Sequence, residues 1–161
     1  MGAAARLAEL GLDLPAVAAP VAAYVPAVRT GALIHTSGQL PFVAGSLAST
    51  GKVGAGVSPD EATALARTAA LNALAAVAAL VESEGGPAGA DALDRIVRVV
   101  KVVGFVASDP SFTGQPGVIN GASTLLHDVL GSAGIHARSA VGVAVLPLDS
   151  PVEVEIVVET A

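Results

Sequence analysis

The chain has 161 residues, a formal net charge of −6 and no cysteine. That bounds it to about one domain and excludes disulfides, thiolate nucleophiles and cysteine-ligated zinc. Hydrophobic residues make up 53% but aromatics only 2%, so the core must be packed from Ala, Val, Leu and Ile. Few aromatics and an acidic balance also argue against nucleic acid as a partner, which calls for clustered Lys and Arg and stacking platforms.

In chain order, residues 3–10 read as a short helix stopped by Gly11 and Pro15, with the role of a surface appendage. Arg6, Glu9 and Asp13 interrupt any apolar run there, so no signal peptide is expected, and the chain reads as cytosolic. Thr30-Gly31 separates two apolar runs, predicting a hairpin with strands over 24–29 and 32–37. Residues 41–57, with Gly51, Gly54 and Gly56, read as a loop. Ser58-Pro59-Asp60-Glu61 is a helix start: a serine cap, a proline at the first turn and a glutamate that completes a capping box. The helix should run to about residue 84, where Gly85-Gly86-Pro87 stops it. Leu71, Leu74, Ala78 and Val81 form its apolar stripe. Its most apolar part, 68–81, is too short for a membrane span, and a buried helix is expected.

The basic residues Arg95, Arg98 and Lys101 recur at helical spacing, but the density of valine over 94–108 favours a strand. A turn follows, then a helix over 118–130 with Val118, Ala122, Leu125 and Val129 on one face. The last expected element is a hairpin, with strands on either side of residues 146–151. Strands with two interspersed helices predict an α+β fold, both helices on one face of a mixed sheet. The valine-rich opposite face would then need cover, and a second copy of the chain is the simplest one.

Several motifs carry no chemistry in this context. Ser49 and Lys52 have the spacing of an acyl-enzyme serine motif but lie in a glycine-rich loop, with no K-T-G following. Gly51–Gly56 lacks the dinucleotide pattern. His35, His127 and His136 have no partner at metal spacing, and no metal site is expected. Arg138 reads on composition as a solvent-exposed strand end, or as a partner of Asp149. Its alternative is a guanidinium fork that holds a carboxylate. Glu153 is either an outward residue on an alternating strand or a carboxylate that orients a water.

The order of motifs discriminates between these readings. Tyr24, then Thr36-Ser37-Gly38-Gln39-Leu40-Pro41, then Ala137-Arg138-Ser139, then Leu146-Pro147 and Val152-Glu153-Val154-Glu155 resemble the RidA family, also called YjgF/YER057c/UK114. The resemblance covers roughly residues 20–160, leaving 1–19 as an extension to a single domain at 20–161. It implies a chorismate-mutase-like α+β fold, a homotrimer and ligand clefts between subunits. The implied activity is hydrolysis of reactive 2-imino and enamine acids to 2-oxo acids and ammonia, which requires no cofactor; composition and charge predict no membrane or nucleic-acid partner. By the same resemblance Arg138 grips the substrate carboxylate and Glu153 positions the attacking water. Tyr24, Ser37 and Asn120 line the cleft, and Gly38 lets backbone approach the ligand. Two other readings remain: a non-catalytic trimer that binds a small carboxylate through Arg138, and the endoribonuclease activity attached to some relatives. Ala140 stands where the family often has cysteine.

Overall fold

The computed structural model describes residues 1–17 and 22–161. The expected boundary between an extension and a domain, at 19/20, lies outside the described residues. Helix α1 (Ala3–Glu9) precedes it. Two of its residues, Ala3 and Leu7, are buried in the main core, and the Ala3 amide donates to the Asp94 carboxylate at 2.7 Å. The helix is therefore docked, not a surface appendage. Alanine and leucine one turn apart face the same side of a helix, and that side is the one the body covers.

Strands β1 (Ala27–Thr30) and β2 (Leu33–Thr36) form the first hairpin, with Val28 opposite His35. It turns at Gly31, whose φ of 59° glycine adopts without a Cβ penalty. The segment expected as a loop folds a small second hairpin, β3 (Phe42–Val43) with β4 (Ser46–Leu47), and buries Val53 and Val57 completely. Helix α2 (Pro59–Ser83) starts at the expected cap: the Ser58 hydroxyl accepts from the Glu61 amide at 3.2 Å. The reciprocal half of the capping box is replaced. Glu61 accepts instead from the Ser49 hydroxyl, which ties the glycine-rich loop to the helix start. By length and hydropathy α2 could span a membrane, but 61% of its most apolar window is buried inside the fold. It is a core helix.

Strand β5 (Ile96–Ala107), helix α3 (Gln115–Leu130), and strands β6 (Ala137–Val143) and β7 (Val152–Thr160) complete the chain. The sheet order is β1-β2-β7-β5-β6, with β5–β6 parallel and the other pairs antiparallel. This corrects the expected C-terminal hairpin, because β6 and β7 do not pair. Strand β5 lies between them and takes β6 on one edge through the α3 crossover and β7 on the other. Both helices lie against one face of the sheet, where Val99, Val102, Val106, Val152, Val154, Ile156 and Val158 are buried with the inner faces of α2 and α3. The mixed α+β architecture with two helices on one face is as expected. Small residues set the spacing between layers: a Cβ on Gly121 would collide with the Thr63 carbonyl, so α3 crosses α2 at backbone contact. The opposite face of the sheet carries exposed Val28 and Val141.

Candidate functional site

Pairing between β2 and β7 is regular from Leu33 opposite Glu159 to His35 opposite Val157. It resumes only at Gln39, which exchanges both backbone hydrogen bonds with Val154. Three residues, 36–38, thus face two, 155 and 156, the one extra residue of a β-bulge, a device that re-aims side chains near sites. The Thr36 hydroxyl repairs the ladder by accepting from the Ile156 amide at 3.0 Å. Ser37 swings out, its amide donating to Pro26 O at 2.8 Å and its hydroxyl to Val25 O at 2.6 Å. The hydroxyl oxygen keeps its acceptor capacity. Two hydrogen bonds from the Asn72 side-chain amide, to Leu40 O at 2.9 Å and Phe42 O at 3.0 Å, hold the other end of this segment against α2.

The bulge brings Gly38 under the Glu153 side chain. A Cβ at residue 38 would overlap the carboxylate and lie 2.8 Å from Glu153 Cδ, so only glycine leaves room for that rotamer. Burial raises the Glu153 pKa above its ordinary value, and the negative charge of Glu155 raises it further. Among the described residues no hydrogen bond or ion pair ends on this carboxylate. Glu153 lies opposite Phe105 on β5 and shares its face of the sheet. Tyr24, half exposed at 51%, lines a shallow cavity of about 370 Å³ with His35 and Ser37. Ser37, Gly38 and Glu153 are therefore assembled, with Tyr24 alongside.

Arg138 and Asn120 are elsewhere. Arg138 lies opposite Val102 on β5, three residues from Phe105. In a strand an odd separation means opposite faces, so Arg138 points to the helix side of the sheet and Glu153 to the open side. The guanidinium donates from Nη1 to the Ser123 hydroxyl and from Nη2 to Pro116 O, each at 3.2 Å. It does not pair with Asp149. Asn120 is exposed and sits on α3 between those two residues, one turn from each, so it shares the face that Arg138 meets. Arg138 and Glu153 thus stand on opposite faces of one sheet, Arg138 on the edge strand β6.

Two polar residues beside Arg138 had drawn no role from the sequence. His136 accepts from or donates to Ser123 at 3.0 Å through Nε2, and its Nδ1 lies 2.6 Å from Gly134 O. The available signal was spacing: His136 and Arg138 alternate on the same side of a strand, and Asn120 and Ser123 lie one helical turn apart. Among the described residues no group of three or more metal-ligating side chains comes together.

A mixed five-stranded sheet with two helices on one face, a bulge that seats a carboxylate on a glycine, and an arginine on the edge strand define an α+β protein of the chorismate-mutase-like class. The chain belongs to the YjgF family: residues 4–160 match the family model described as "YjgF/chorismate mutase-like, putative endoribonuclease". The match includes α1 from its second residue onward. The chain is 45% identical over 157 residues to Protein TCP17 of Trypanosoma cruzi, covering 97% of this chain and 92% of that one. It is similar to the crystal structure of protein Atu1372 from Agrobacterium tumefaciens, at 43% identity and a TM-score of 0.86 over 99% of this chain and 92% of that one. A structure from Shewanella oneidensis titled a "putative endoribonuclease" matches at 34% identity and a TM-score of 0.88 over 99% of both chains.

Proposed function

We propose that the protein hydrolyses small reactive 2-imino or enamine acids to 2-oxo acids and ammonia, in the cytoplasm, as a homotrimer whose clefts join the two half-sites of neighbouring copies. The observation that supports this reading most is the Glu153 carboxylate. It is half-buried, free of cation or hydrogen-bond partner among the described residues, and seated on a glycine. A carboxylate with a raised pKa is a stronger base and can take a proton from an attacking water, help worth ~10²–10⁴-fold. An iminium carbon is already electrophilic. Water adds to it, the amino group leaves as ammonia, and the carbonyl forms, with no electron transfer. In this scheme Arg138 supplies the N–H donors that α3 leaves free to the substrate carboxylate. Asn120, Tyr24, Ser37 and Gly38 bound the cleft.

The test is release of ammonia from 2-iminobutyrate generated in a coupled assay, with light scattering in parallel. Activity above buffer, lost in Arg138→Ala, and a trimeric mass are expected. Wild-type activity in Arg138→Ala, or a monomer with full activity, refutes the scheme.

A second reading, a trimer that binds a small carboxylate without turnover, draws on the separation of Arg138 from Glu153 within one copy. It predicts thermal stabilisation by 2-oxobutyrate that Glu153→Gln leaves intact, with no hydrolysis by wild type. The endoribonuclease label of the family model fits less well with a net charge of −6 and with Glu153, Glu155 and Glu159 along one strand. Such a surface repels a phosphate backbone.

A further inference from the structure

We propose that Ser123 and His136 are positioning residues that fix the guanidinium of Arg138, and that they thereby set the affinity of the site for the carboxylate of its ligand. The second clause rests on the reading of Arg138 given above; the first does not. Elementary chemistry orients the whole relay. Gly134 O can only accept, so His136 Nδ1, 2.6 Å away, carries a hydrogen. Burial lowers the His136 pKa; the hydrogen bond to Gly134 O opposes this and the Arg138 cation adds to it, and the net shift is downward, so the ring is neutral near pH 7 and Nε2 is bare. The Ser123 hydroxyl, 3.0 Å from Nε2, must then donate its one proton there. Its lone pairs are left to accept from Arg138 Nη1 at 3.2 Å. Hydrogen bonds therefore run one way, from Arg138 to Ser123 to His136 to Gly134 O.

Pro116 O takes Nη2 from the other end of the same helix face. Two bonds from α3, two turns apart, bracket the guanidinium and stop it turning, while its remaining N–H groups stay available to a ligand. A free arginine side chain loses considerable rotamer freedom when it grips a carboxylate. Holding the fork in place beforehand removes that loss from the binding step. The same Ser–His–carbonyl arrangement could describe a nucleophile and its base, but here the serine oxygen already accepts from Arg138.

The test uses the full-length protein labelled with ¹⁵N. In wild type the Arg138 guanidinium should show slow rotation and resolved Nη signals. Ser123→Ala should average them, and Ser123→Thr, which keeps the hydroxyl, should restore them. With 2-oxobutyrate as probe, calorimetry should show binding weakened about tenfold by Ser123→Ala, one lost bond to a charged group, and by a smaller factor by His136→Leu, which keeps that bond but frees the Ser123 hydroxyl to turn. His136→Gln, whose amide oxygen can accept where Nε2 does, should remain within about twofold. A merely structural role would lower the melting temperature and leave the Arg138 signals alone. Unchanged Arg138 signals in a folded Ser123→Ala, or stoichiometric labelling of Ser123 by a fluorophosphonate, overturns the proposal. If Ser123→Ala loosens Arg138 but wild type does not bind 2-oxobutyrate, the positioning pair stands and the carboxylate role of Arg138 falls.

Discussion

Replacing Gly38 by alanine separates stability from function in a way the geometry makes quantitative. The added Cβ would lie 2.8 Å from Glu153 Cδ and 3.1 Å from Cγ. Carbon atoms at rest sit ~3.5–4.0 Å apart, so the carboxylate must retreat by about an ångström or take another rotamer. Gly38 is not among the residues at positive φ, so its backbone conformation suits alanine and the clash with the side chain is the whole perturbation. That side chain is long and half exposed, and it can move at a cost of about 1 kcal/mol for an off-rotamer χ. A domain of this size should lose only ~2–4 °C in melting temperature per kcal/mol. Activity is far more sensitive, since a misplacement of ~1 Å can cost ~10²-fold. Gly38→Ala should therefore remain folded, melt within a few degrees of wild type and lose about two orders of magnitude in kcat on 2-iminobutyrate. Wild-type kcat in a folded Gly38→Ala would refute the placement of Glu153 as the water-orienting base.

Glu153 also predicts a pH dependence of stability. Its folded pKa is raised, chiefly by burial and then by Glu155, so ionisation is less favourable in the folded than in the unfolded chain. Its contribution is fully present below the unfolded value and is lost as pH rises through the folded one. Glu153→Gln should accordingly melt higher than wild type at neutral pH, and the difference should vanish in acid; a difference that persists in acid contradicts the assignment. Leu7, 2% exposed in the core, should lose about 2–5 kcal/mol on truncation to alanine, read from urea unfolding. A change within about 0.5 kcal/mol, typical of a surface position, would return α1 to the status of an appendage.

Local signals made most of the elements legible. The cap at Ser58, the glycines after Ser83 and the turn at Gly31 each act within a few residues, and a sequence shows them directly. The C-terminal pairing was not legible in that way. Both β6 and β7 are plausible hairpin arms, and only the longer-range preference of β5 for a neighbour on each edge decides against it. The eight residues from 144 to 151 carried a partial warning, since hairpin loops usually have ~2–5. The docking of helix α1 is not legible in the sequence, because two buried residues on a seven-residue helix make a weak periodic signal. Of the site, Ser37, Gly38 and Glu153 come together because the bulge at Thr36 folds one motif onto the other. Arg138 and Asn120 instead share the helix side of the sheet, Asn120 between the two residues of α3 that bond Arg138. The Ser123–His136 relay depends on a crossover that sets a helix beside an edge strand, which spacing alone does not reveal.

The placement of Arg138 and Glu153 on opposite faces of the sheet has a genetic consequence. If each working cleft draws its arginine from one copy and its glutamate from a neighbour, the two losses are complementary. Arg138→Ala and Glu153→Gln proteins, each inactive alone, would regain activity when co-expressed or unfolded and refolded together. With random assortment in equal amounts, about a quarter of the clefts in a cyclic oligomer would pair two intact halves. A cleft built within a single copy would recover nothing.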